Sequence, residues 1–175
     1  IDPLVKDTLN FHSEAIYQGE VWRMLTGHLL HSNLNHLLLN LGGLFLLWAL
    51  HGEYYETRYT WILVILCGLL TSLSLILLSD TSKYVGLSGV IHGLFAWGAI
   101  QDLRYGYRSG WLLIVGLLIK IAAEQVFGAS DQIANMIATD VAIDSHLFGA
   151  LGGFFIAAVY SSPYSPEKPN EPDSN

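Results

Sequence analysis

The chain has 175 residues, of which 52% are hydrophobic and 13% charged, with a mean hydropathy of +0.42 and a formal net charge of −7. A soluble domain carries about a quarter charged residues, so lipid suits this composition better than water. No basic patch suggests nucleic acid, and the single cysteine, Cys67, excludes an internal disulfide.

A spanning helix needs about 20 mostly apolar residues. Residues 1–27 hold no such run; Asp2, Lys6, Asp7, Glu14, Glu20 and Arg23 are scattered among aromatics, which predicts an outer-face loop or interfacial segment. The first predicted span covers 27–50 and opens with His28, His31, Ser32, Asn33, Asn35, His36 and Asn40. The second covers 60–79, the third 84–101, the fourth 110–127 with Lys120 inside it, and the fifth 141–160. Residues 161–175, rich in Pro, Ser and charge, are expected to be a disordered cytoplasmic tail. The fold class is therefore an all-α membrane protein, with a transmembrane domain at 28–160 built on five spans.

Basic residues orient these spans. Arg58 lies in the loop 51–59, and Arg104 and Arg108 in the loop 102–109, whereas 128–140 carries Asp131 and Asp140 but no Lys or Arg. The positive-inside rule places the two basic loops in the cytoplasm. Trp48, Trp61, Trp97 and Trp111 fall near the same ends and read as interfacial anchors. Position 1 is Ile, and an outer N-terminal segment before five spans leads us to expect a further helix upstream.

Polar residues inside a membrane suggest function by default. Three clusters share the outer end of the predicted spans. Gly86-Leu87-Ser88-Gly89 opens the third, and Gly89 and Gly93 clear one helix face for close approach. Ser88 alone could equally bond back to a carbonyl of its own helix. Asp144-Ser145-His146 opens the fifth, followed by Gly149 and Gly153 at the same spacing. Two glycine faces can pack closely and bring His146 to Ser88. A serine hydroxyl needs a neighbouring base, and imidazole suits that task near neutral pH. The third cluster, His31, His36 and Asn40, offers donors from His36 and Asn40 for a developing oxyanion, while His31 is read as bonding a loop carbonyl. Asp144 is two residues from His146 and points to another face, so a dyad without an orienting acid is expected. Lys120 and Glu124 read as a structural i,i+4 ion pair. His12, His28 and His51 read as surface or interfacial histidines, with the polar residues from His28 to Asn35 lining a water path.

With these residues in place, the chain resembles the rhomboid intramembrane serine proteases over about 22–160. Trp22-Arg23-x-x-Thr26 looks like the family's WR motif, His31-x4-His36-x3-Asn40 its HxxxxHxxxN, Gly86-Leu87-Ser88-Gly89 its GxSG and His146-x-x-Gly149 its HxxG. The resemblance implies a six-helix core whose first helix would precede this chain. It implies Ser88 as nucleophile and His146 as base, with the oxyanion held by His36, Asn40 and backbone amides, for which we take that of Leu87. His31, His92, Gly86, Gly89, Gly93, Gly149 and Gly153 would support the site, and Trp22 and Arg23 would order the outer loop. His92 stands where many rhomboids have a Tyr that stacks on the catalytic histidine, and GLSGVIHGLFAWGA is similar to the rhombosortase branch. That branch implies a membrane-anchored substrate with a C-terminal sorting tail, a bacterial inner membrane, and a site open to the periplasm. No cofactor or metal is expected, and the oligomeric state is not legible. The alternatives are a noncatalytic rhomboid-like protein that binds membrane helices, or a His-rich metal-dependent membrane protein, against which the absence of HExxH weighs.

Overall fold

The computed structural model describes residues 3–160, so the expected tail at 161–175 lies outside it. Three short helices come first: α1 (Pro3–Leu9), α2 (Ser13–Tyr17) and α3 (Arg23–Leu29). The bundle is formed by α4 (Leu34–His51), α5 (Thr57–Leu78), α6 (Ser88–Arg104), α7 (Ser109–Phe127) and α9 (Ile143–Val159), with the short α8 (Asp131–Ile137) between the last two. Two short strands, β1 (Phe11–His12) and β2 (Lys83–Tyr84), pair antiparallel and tie the N-terminal segment to the start of α6.

The expected first span is two elements. Leu30 is extended, and the helix restarts at Leu34 because the Asn33 side chain accepts a hydrogen bond from the His36 N–H at 2.9 Å. The N-terminal segment of short elements thus runs past residue 27 to residue 33, with α3 lying against the middle of α5. There His28 is buried, not interfacial: Nε2 donates to the Gly68 carbonyl at 3.0 Å, and the Tyr84 hydroxyl donates to Nδ1 at 2.6 Å. Burial pushes the His28 imidazole down to about 4.

Helix length follows position in the bundle. Leu34–Tyr54, Arg58–Leu78 and Ser109–Phe127 are long and apolar enough to cross a membrane, and their exposed side chains include Leu38, Phe45, Ile62, Ile65, Leu112 and Ile119. The spans α6 and α9 are shorter, 17 residues each, and form the centre. In α6, Ala96, Trp97, Ala99 and Gln101 are all wholly buried, so this helix meets protein where the others meet lipid and tolerates polar residues. Trp97 is accordingly a core residue and not the interfacial anchor expected of it; Trp48, Trp61 and Trp111 are exposed. His51, also expected at the surface, is wholly buried with Nε2 3.4 Å from Asp102 Oδ2.

Glycines set the distance between the central helices. A Cβ at Gly89 would lie 2.8 Å from the Ser145 carbonyl oxygen, and one at Gly93 2.8 Å from that of Gly149. Gly149 and Gly153 face the backbone of Gly89 and Gly93 in return, so the two small-residue faces interleave with no room for a side chain.

Candidate active site

The close packing of α6 on α9 puts the first residue of one beside the first turn of the other. Ser88 Oγ lies 2.9 Å from His146 Nε2, and His146 is buried. Ser88 begins α6 and Leu87 precedes it, so the first N–H groups of the helix have no carbonyl partner within it. Gly86 reaches this point with φ +132°, which favours glycine, and a Cβ there would stand 2.7 Å from His36 Nε2.

A cavity of about 810 Å³ holds these groups together, with Ser88, His146, His36, Asn40, His92 and Glu124 among its lining side chains. Asn40 is buried and its Nδ2 has no hydrogen-bond partner among the described residues. Ser32 holds the His36 ring, with Oγ 3.0 Å from Nδ1, and donates to the Ile137 carbonyl at 2.5 Å. Asn33 and Asn35 both donate to the Met136 carbonyl, at 3.0 and 3.3 Å. The polar residues expected to line a water path therefore fasten α4 to α8, and His28 is turned toward α5. Among the described residues His31 Nε2 is buried and meets no loop carbonyl or other partner; its ring packs edge-on against His36 at 5.1 Å.

His92 touches the site directly. Its ring is stacked on His146, with centroids 4.3 Å apart and planes 15° from parallel. Its Nδ1 donates to the Ser88 carbonyl at 2.7 Å, and its Nε2 is 2.7 Å from Lys120 Nζ. Trp22 and Arg23 lie away from the cavity. Trp22 Nε1 donates to the Thr8 carbonyl at 3.2 Å, and Arg23 binds the Asp7 and Asn10 carbonyls at 2.7 and 3.0 Å and Glu20 at 2.6 Å.

The expectation that no acid reaches the base is corrected. Glu124 Oε2 is 2.9 Å from His146 Nδ1 and 2.7 Å from Lys120 Nζ. The i,i+4 pair exists, but it faces the site from the last turns of α7. Asp144 turns away as expected, its carboxylate accepting from Ser79 Oγ at 2.5 Å. A sequence signal was present for Glu124, since an opposite-charge pair inside an otherwise apolar span is a functional candidate. Among the described residues, no group of three or more His, Cys, Asp or Glu side chains could hold a metal ion.

Fold and site together define a polytopic α-helical membrane protein with a serine–histidine pair at one end of its bundle. The family model of the Rhomboid domain matches residues 18–163. The chain is 27% identical over 151 residues to "Rhomboid protease GluP" of Bacillus subtilis (strain 168), covering 86% of this chain and 28% of that protein. It is 27% identical over 156 residues to "Putative rhomboid protease YdcA" of the same organism, covering 88% of this chain and 74% of that protein. The chain belongs to the rhomboid family.

Proposed function

We propose that this chain is an intramembrane serine endopeptidase that cuts membrane-anchored proteins in or beside a transmembrane segment. The observation that carries the reading is the 2.9 Å contact between Ser88 Oγ and His146 Nε2 inside a cavity of about 810 Å³. His146 Nε2 takes the hydroxyl proton as Ser88 Oγ bonds to the scissile carbonyl carbon. The proton passes to the leaving nitrogen as the C–N bond breaks. A water then gives its proton to the same imidazole, attacks the ester, and frees the acid and Ser88. Asn40 Nδ2 and the N–H groups of Leu87 and Ser88 are the donors for the developing oxyanion, where a preorganised donor is most effective; His36, whose Nδ1 donates to Ser32 Oγ, keeps a bare Nε2 when neutral.

The narrower reading is that the substrate is an exported protein bearing a C-terminal tail with a Gly-Gly motif, a transmembrane helix and a basic end. It is supported by the sequence GLSGVIHG at Gly86–Gly93 and by His92 lying flat on His146. Arg58, Arg104 and Arg108 lie at the end of the bundle opposite Ser88, which supports a site on the non-cytoplasmic side, the periplasm if the membrane is a bacterial inner membrane. The test is co-expression of the full-length protein with a tailed substrate, comparing wild type with Ser88→Ala and His146→Ala. Cleavage lost in both variants, and dependent on the Gly-Gly motif, is expected. Cleavage that ignores the motif keeps the protease and removes the tail reading. A folded wild-type protein that neither cleaves nor takes a fluorophosphonate label on Ser88 is a helix-binding protein instead.

A further inference from the structure

The hydrogen-bonding groups around Ser88 form a closed ring. Ser88 Oγ faces His146 Nε2 at 2.9 Å, and His146 Nδ1 faces Glu124 Oε2 at 2.9 Å. Lys120 Nζ is 2.7 Å from the same Glu124 oxygen and 2.7 Å from His92 Nε2. His92 Nδ1 returns to the Ser88 carbonyl at 2.7 Å.

The chemistry of each group fixes the direction of the protons. A carbonyl only accepts, so His92 carries its proton on Nδ1 and accepts at Nε2 from the Lys120 ammonium. The ammonium can only donate, and it also lies 3.1 Å from His146 Nδ1. Lys120 and Glu124 therefore compete for that nitrogen. If Nδ1 accepted from Lys120, the His146 proton would sit on Nε2, pointing at Ser88, and the ring could not act as base. If Nδ1 donates to Glu124, Nε2 is bare and ready to take the serine proton.

We propose that Glu124 is a positioning residue that holds His146 in its Nδ1–H form, making the site a triad drawn from α6, α9 and α7. The proposal rests on the reading of Ser88 and His146 as nucleophile and base. Lys120 steadies the carboxylate, which is 17% exposed and would otherwise face a largely apolar cavity alone. Through His92 it also straps the end of α7 to the Ser88 backbone. When His146 becomes imidazolium during attack, Glu124 balances the new charge beside Lys120.

The test has a spectroscopic arm and a kinetic arm, both on the full-length protein in bilayers. Nitrogen-15 NMR of labelled histidines, with His146 assigned by its loss in His146→Gln, is expected to show Nδ1 protonated and Nε2 bare in the wild type. A resting His146 protonated on Nε2 overturns the proposal, and this arm needs no altered Glu124. In the kinetic arm, Glu124→Gln is expected to lower kcat about 100- to 10,000-fold while KM stays within about twofold. An unchanged kcat, or a loss carried mainly by KM, overturns it. If wild type and Ser88→Ala are alike in neither cleaving nor labelling, the protease reading has failed, whatever the tautomer shows.

Discussion

Gly93 and Gly149 face each other so closely that a methyl group on Gly93 would stand 2.8 Å from the Gly149 carbonyl oxygen and 2.9 Å from Cys67 Sγ. Both obstacles lie in packed helices and cannot swing aside. Gly93→Ala is expected to destabilise the protein by about 1–3 kcal/mol, as overpacking does. The same change should pull α6 from α9 and stretch the Ser88–His146 contact. Thermal unfolding in detergent and fluorophosphonate labelling of Ser88 should fall together; a variant that melts early yet labels at the normal rate would break the link between packing and reactivity.

Asn40 separates activity from stability. Its Nδ2 is buried and makes no hydrogen bond to any of the described residues, so removing it breaks none of their contacts to that atom in the resting protein. Asn40→Ala is expected to lower kcat about 100- to 1,000-fold, the cost of losing one oxyanion donor, with the melting temperature unchanged or raised. Normal turnover would show that the donor points at something other than the reacting oxygen.

His28 gives the fold an acid limit. Its imidazole is buried with a pKa of about 4, against 6.5 for the unfolded chain. Below pH 6.5 the unfolded state takes up a proton that the folded state refuses until about pH 4, so stability held at neutral pH is lost as the pH falls through this window. The full loss is about 3 kcal/mol. Melting temperatures measured from pH 7.5 to 4.5 should decline in the wild type and decline less in His28→Gln; parallel curves would exclude His28 as the source.

Arg23 is buried and binds the carbonyls of Asp7 and Asn10 as well as Glu20. Arg23→Ala leaves those acceptors without their charged donor, at a cost of about 2–3 kcal/mol. The N-terminal segment should then exchange amide hydrogen faster, while kcat falls less than in Asn40→Ala. A collapse of kcat with unchanged exchange would assign Arg23 to the chemistry.

Ser88, His146 and the glycines behind them were legible because a close helix pair leaves a local mark, small residues every fourth position beside one reactive group. The boundary before Leu34 was not, since the Asn33 cap falls inside a polar run from His28 to Asn40 that continues on both sides of it. His28, His51 and Trp97 were misplaced for a common reason: side-chain type cannot say which helix the others surround. Glu124 was hidden by its own neighbour, because the pair with Lys120 already satisfied a sufficient local explanation. That the pair also reaches His146 depends on how α7 ends against α9, a relationship spread over 22 residues of sequence and set only by tertiary packing.

The central helices α6 and α9 are shorter than their neighbours and are screened from lipid along much of their length. Bilayer thickness is therefore felt first by α4, α5 and α7, which can tilt to match it. Ser88 and His146 sit on the two helices that need not adjust, so their contact is insulated from the membrane's composition, whereas Asn40 on α4 and Glu124 on α7 ride on helices that respond to it.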